Sequence, residues 1–208
     1  MKLWSDSFSD GDPIPGEFAF AVPHPENHIE LAGNRNPHLA WSGLPEGTKS
    51  LALVCIDTDV PTDGTHVNQE GAEVPADLPR TDFVHWALVG LPADAEPIAP
   101  GEFSNGVDAH GKPGPEGPRG TRQGVNDYTG WFEGDASMAG DYHGYDGPCP
   151  PWNDTIIHHY HFTLYALDTD ALDLPDKFSG GQLLDAMEGH VLGSASLVGT
   201  YTLNPKLR

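Results

Sequence analysis

Apolar and polar positions along the chain follow short periods with frequent interruptions. From Gly16 to Trp41 small apolar patches alternate with Pro23, Pro25, Asn34 and Pro37, a pattern that predicts strands and turns rather than helix. Leu51–Ile56 is the longest uninterrupted apolar run and predicts a buried strand, stopped by Asp57-Thr-Asp59-Val-Pro61. Residues 62–81 are polar and carry Pro75 and Pro79, so they predict a long excursion before a second strand at Phe83–Val89. Both ends of that excursion are anchored beside the same pair of strands, which makes it a rim for anything bound there or a solvated insertion. Between Pro92 and Trp152 glycine and proline dominate and no period is sustained, so the stretch is read as irregular. His158–Leu167 restores the strand period, with His158, Tyr160, Phe162, Leu164 and Ala166 on one face. Ser179-Gly-Gly-Gln182 fits a capping box, and Leu183, Leu184, Met187 and Val191 recur at helical spacing up to Gly193, predicting one helix. Leu197–Leu203 closes the chain as a strand.

Composition narrows the class. The 208 residues include 25 Gly and 20 Pro, too many breakers for a helix bundle and compatible with a single, mainly β domain spanning 1–208. Ten basic against 31 acidic residues give a net charge of −21, which argues against nucleic acid and anionic membranes as partners. That balance also suits a salt-rich cytoplasm, where self-repulsion is screened. No apolar run approaches the roughly 18 residues of a membrane span, and MKLWSDSFSD lacks the apolar core of a signal peptide. A cytoplasmic protein without a membrane span is the expectation, and a homodimer is compatible with it. Cys55 and Cys149 are too few for a disulfide framework, have no metal-finger spacing, and are expected to be free thiols.

Several residues could carry chemistry. Asp57 and Asp59 stand two apart at a strand end, which places both carboxylates on one side with Cα atoms about 6–7 Å apart. A solvated turn, a metal or glycosidase pair, and a carboxylate that orients a histidine all fit that spacing. His85 alternates with Phe83, Ala87 and Val89, an apolar face on which an imidazole is either a core residue bonded to backbone or part of a site. His158 shares that ambiguity. His159 and His161 fall on the opposite face, where a His-x-His metal pair lacks a third ligand by spacing. In Gly144–Pro151, three prolines and two glycines define a rigid, non-helical loop. No serine or cysteine stands beside a histidine in a hydrolase motif.

Taken in order, these segments resemble the phosphatidylethanolamine-binding protein family, in particular its bacterial and archaeal Raf-kinase-inhibitor-like branch. The resemblance begins with Ser5-x-x-Phe8, Ile14-Pro15, Asn36-Pro37, Leu39-x-Trp41-Ser42 and Ser50–Leu53 leading to Asp57-x-Asp59-x-Pro61. It continues through Phe83–Trp86, Gly124-x-Asn126-Asp127-Tyr128, Gly147–Pro151, His158–Asp168, Gly189–Leu192 and Leu197–Tyr201. The resemblance implies a two-sheet β-sandwich with a few short helices and a pocket for phosphate-like anions. That pocket would contain Asp57, His85, Gly147, Pro148, His158 and Tyr160, with Asp59 and Trp86 beside it. It would need no metal and no cofactor. Three positions depart from the family's usual pattern: Thr58 for proline, His159 for arginine, and Asp146 for glycine. The expectation is non-enzymatic binding of a small phosphate- or carboxylate-bearing ligand, with a kinase or protease as the kind of partner the family implies. The rival is a hydrolase or metal-dependent enzyme using Asp57, Asp59, His85 and His158.

Overall fold

A computed structural model describes residues 1–208. Its strands are β1 (Lys2–Trp4), β2 (Ala21–His24), β3 (His28–Leu31), β4 (Ala40–Ser42), β5 (Ser50–Pro61), β6 (Arg80–Pro92), β7 (Gly111–Lys112), β8 (Arg122–Gln123), β9 (Asp141–Tyr142), β10 (His158–Leu167) and β11 (Val191–Tyr201). The helices α1 (Tyr128–Trp131) and α2 (Gly180–Ala186) are short. The run Leu51–Ile56 forms the first half of β5, which continues through the Asp57–Pro61 segment expected to stop it, and Phe83–Val89 forms the middle of β6, which begins at Arg80 within the excursion.

One antiparallel sheet, ordered β11-β10-β5-β6-β8, organises the molecule. Its strands bury residues on both faces, which is why β5 reads as a continuous apolar run instead of an alternation. One face presents Leu53, Cys55, Trp86, Leu88, Phe162 and Leu164 to Leu3, Phe8, Ile14, Leu39 and Ile98. The layer that supplies those partners consists of the β1–β4 and β2–β3 ladders and a Leu39–Ile98 bridge, so the facing half of the sandwich is made of short pieces. Strands of two to four residues carry no readable period, and the sequence pattern could not resolve them. The other face, with Ala52, Val54, Val84, Ala87 and Val89, is covered by Phe178 and by Leu183 and Met187 from α2 and its cap.

The predicted helix is real but shorter. Ser179 and Gln182 form the reciprocal capping box, yet α2 ends at Ala186. Gly189 then takes φ +82°, a left-handed conformation that glycine adopts without strain, and Val191 begins β11 instead of continuing the helix. No helix is long and apolar enough to cross a membrane.

Candidate functional site

Irregular pairing between β5 and β6 creates the site. Cys55 pairs with Trp86 but Ile56 pairs with Val84, so His85 is an extra residue in the ladder. The bulge turns His85 and Trp86 to the same side of the sheet and sends Ala87 and Val89 to the opposite face. The simple alternation that grouped His85 with Ala87 and Val89 therefore fails at this point. A second slip, between Asp57 paired with Phe83 and Val60 paired with Thr81, re-aims Asp59.

Asp57, His85, His158 and Tyr160 meet at the floor of a cavity of about 490 Å³. His158 lies between two carboxylates: its Nδ1 donates to Asp57 Oδ2 at 2.7 Å and its Nε2 to Asp154 Oδ2 at 3.1 Å. Burial alone would lower its pKa, but the hydrogen bonds to Asp154 and Asp57, and then their charges, outweigh it and push the value up to about 9. His158 is thus an imidazolium with both N–H groups engaged. Burial alone would raise the Asp57 carboxyl, yet the bond and charge of His158, the charge of His85 and the Asp59 amide hold it below the ordinary carboxylate range. The Asp59 N–H donates to Asp57 Oδ1 at 2.8 Å. Behind the floor, Arg80 clasps Asp154 through both terminal nitrogens, at 2.6 and 3.1 Å.

His85 differs from His158. Its Nδ1 donates to the Asp146 carbonyl at 2.7 Å, and Nε2 has no partner within the chain. Burial lowers its pKa, with the charge of Asp57 and the Asp146 carbonyl offsetting part of the effect, so the ring is neutral. The Tyr160 hydroxyl is buried and meets no well-formed hydrogen-bond geometry; burial and then the neighbouring Asp57 carboxylate push its pKa well up, so it stays protonated as a donor. An unpaired hydroxyl in such a place costs about 1–3 kcal/mol unless something supplies a partner.

Above the floor the walls are apolar. Phe20 stacks on Tyr128 with ring centroids 4.6 Å apart, Tyr128 stacks on Phe132 at 5.6 Å, and His85 meets the edge of Tyr128 at 5.4 Å. Cys149, Pro150 and Pro151 close one side, and Thr62, Gly64, Val67 and Asn68 of the excursion close another. The excursion is tied down by paired bonds: Asn68 N–H to Asn153 Oδ1 at 2.9 Å, and Trp152 N–H to Asn68 Oδ1 at 3.0 Å. It therefore forms part of the rim.

Four other implied pocket residues lie elsewhere. Asp59 points outward and accepts from the His159 amide and ring, each at 2.8 Å, because the bulge after Asp57 breaks the alternation. Trp86 is sealed in the core, its Nε1 donating to Gln123 Oε1 at 2.9 Å. Gly147 sits behind the wall, where its N–H donates to Asn34 Oδ1 at 2.8 Å and a Cβ would collide with the Phe18 carbonyl oxygen. The Pro148 carbonyl accepts from the Phe20 amide at 3.0 Å, and Pro148, unlike Cys149, Pro150 and Pro151 after it, does not line the cavity.

Sequence reasoning missed Asp154 and Arg80, which reach the floor from loop and strand end without a motif. It also noted Asp146 only as a departure. That carboxylate is fully buried and accepts from Asn34 and Asn126, each at 2.7 Å, with Lys112 Nζ at 3.1 Å. Lys112 also donates to the Tyr145 carbonyl and to Ser104. The carboxylate thus faces its own polar nest while the same residue's carbonyl orients His85. No three His, Cys, Asp or Glu side chains are grouped to hold a metal ion. Both cysteines are free, and burial pushes the Cys149 thiol up to about 12.

Comparison with known proteins agrees with this architecture. The UPF0098 protein of Methanothermobacter thermautotrophicus is 33% identical over 201 residues, covering 97% of this chain and 98% of the relative. Escherichia coli YbhB is 32% identical over 203 residues, covering 97% of this chain and 100% of its own length. Among solved structures, Escherichia coli YbcL superposes with a TM-score of 0.67 at 25% identity over 97% of each chain. Chlamydia trachomatis CT736 gives 0.61 at 27% identity, over 96% of this chain and 95% of that one. The profile described as Phosphatidylethanolamine-binding protein matches residues 4–202, and the chain belongs to that family.

Proposed function

We propose that the protein binds, without chemical turnover, a small carboxylate- or phosphate-bearing ligand in the cavity floored by Asp57, His85, His158 and Tyr160. The observation that carries this reading is the buried Tyr160 hydroxyl, which has no partner and stands within 5.1 Å, ring to ring, of the half-used His85 imidazole. An anion gives the hydroxyl an acceptor. It also draws a proton onto His85 Nε2, so that the ring donates on both sides.

The hydrolase reading has less support. Both nitrogens of His158 are held by carboxylates, Asp59 is turned away, and the Cys149 thiol on the wall is held protonated by burial. Of the residues that reading requires, Asp57 is held by His158, and only His85 keeps a free ring nitrogen, with no hydroxyl or thiol nucleophile bonded to it.

Because His85 is neutral in the empty site and favoured as a cation beside an anion, affinity should rise as pH falls from about 8 toward about 6. Calorimetric titration with acetate and inorganic phosphate on wild type, His85→Ala and His85→Gln tests this. The expected result is a pH-dependent affinity that both variants lose. Equal binding and equal pH dependence in all three proteins would overturn the assignment.

A further inference from the structure

We propose that the cavity selects a small molecule with an aromatic body and a single carboxylate, in preference to a phosphate dianion. The inference rests on the anion-binding reading above and narrows it to a ligand class.

Charge comes first. No lysine or arginine lines the cavity. The His158 imidazolium between Asp57 and Asp154 and the Arg80 guanidinium on Asp154 cancel those two carboxylates, and Asp127, whose carboxylate accepts only from the Val84 amide, adds a further negative charge near His85. His85 is the one floor group able to gain a positive charge, so the site can neutralise one negative charge and not two. The net charge of −21 adds a general penalty for more highly charged anions.

The donors match that count. Tyr160 O–H and, once protonated, His85 Nε2–H belong to rings 5.1 Å apart, close enough to serve the two oxygens of one carboxylate.

Shape supplies the rest. A carboxylate with about the volume of two waters fills roughly 60 Å³, which leaves most of the 490 Å³ cavity to something else. The remaining wall is a cluster of rings, Phe20, Tyr128 and Phe132, mutually within 6.0 Å and next to His85. At the mouth stand Leu31 and Trp131, 59% and 53% exposed although both are large and apolar. An aromatic body would pack against this cluster and cover the lip.

NMR titrations with phenylacetate, acetate, phenyl phosphate, inorganic phosphate and phenylacetamide, at one pH, test the proposal on wild type, Tyr160→Phe, Phe132→Ala and Leu31→Ser. Phenylacetate should bind about ten- to a hundredfold more tightly than acetate, the ratio that burial of one phenyl ring supplies. It should also exceed phenyl phosphate and the uncharged amide. Phe132→Ala and the surface variant Leu31→Ser should each narrow the ratio of phenylacetate to acetate. Phosphate probes that bind as tightly as phenylacetate, with loss in Tyr160→Phe, would overturn the selectivity while leaving anion binding intact. Phenylacetamide binding as tightly as phenylacetate would overturn it too, since the carboxylate charge would then contribute nothing. Binding of every probe that ignores Tyr160→Phe would overturn the floor as the anion site, and the narrower inference with it.

Discussion

Raising the pH until His158 gives up its proton is expected to weaken the fold at the cavity floor. Burial by itself would lower the pKa of this ring, but the bonds and charges of Asp154 and Asp57 bring it from 6.5 to about 9. In the unfolded chain both carboxylates are distant and the value returns to about 6.5. A group whose folded pKa is raised contributes its full stabilisation below the unfolded value. It loses that contribution as pH climbs through the folded value. The window therefore runs from about 6.5 to about 9, and the shift corresponds to about 3 kcal/mol. The ring is wholly inaccessible, so solvent screening removes little of this. In a chain of this size about 3 kcal/mol moves Tm by about 6–12 °C. Thermal unfolding of wild type and His158→Gln at pH steps across the window measures it. Subtracting the two curves removes contributions common to both proteins. Wild type should lose its stability advantage over His158→Gln across the window, the variant being the less stable at the acid end. Parallel slopes in the two proteins would refute the assignment of a charged, doubly donating His158.

Three further outcomes are expected. Asp146→Ala should destabilise the protein by about 3–5 kcal/mol in urea unfolding, because it leaves the buried Lys112 charge unpaired and takes the acceptor from Asn34 and Asn126. A loss below about 1 kcal/mol would mean that the polar nest is hydrated. Tyr160→Phe should leave the ligand-free protein as stable as wild type or up to about 1 kcal/mol more stable, since it removes a buried hydroxyl that has no partner. A clear drop in Tm would show that the hydroxyl is already bonded, with Asp57 the nearest acceptor. Thiol counting after denaturation without reductant should find both cysteines, and native labelling should reach Cys149 on the cavity wall before Cys55 inside β5. The reaction should be slow, because burial keeps the Cys149 thiol protonated.

Much of the fold was legible because the central strands are long enough to show their patterning. The alternation of Tyr160, Phe162, Leu164 and Ala166 is the inward face of β10, and the Ser179–Gln182 capping box marks the start of α2. Its end was misread for a definite reason. Val191 continues the helical spacing of Leu183, Leu184 and Met187, and only the left-handed turn at Gly189 separates helix from strand. The facing layer left no trace in the pattern. Its ladders are three and four residues long, and their order depends on contacts between distant segments such as Leu39 and Ile98.

At the site, the limits of legibility follow from where information about strand pairing resides. Asp57, His85, His158 and Tyr160 could be named because residue type, strand position and family resemblance agreed on them. Asp59 and Trp86 could not be placed, because a bulge belongs to two paired strands and is written in neither alone. The three departures from the family pattern are explained on the same terms. Thr58 is exposed within the second bulge, where a proline's missing N–H would matter little to the floor. His159 occupies the outward face of β10 and bonds Asp59, so the arginine it replaces is not subtracted from the cavity. Asp146 brings a carboxylate to the loop beside His85, but Lys112, Asn34 and Asn126 hold it on the far side of the backbone. Each exchange has its own setting outside the cavity, and the groups facing a ligand remain one hydroxyl, one half-used imidazole and a wall of rings. That composition, more than the family's usual residues, sets what the cavity can hold: one negative charge, with an apolar body behind it.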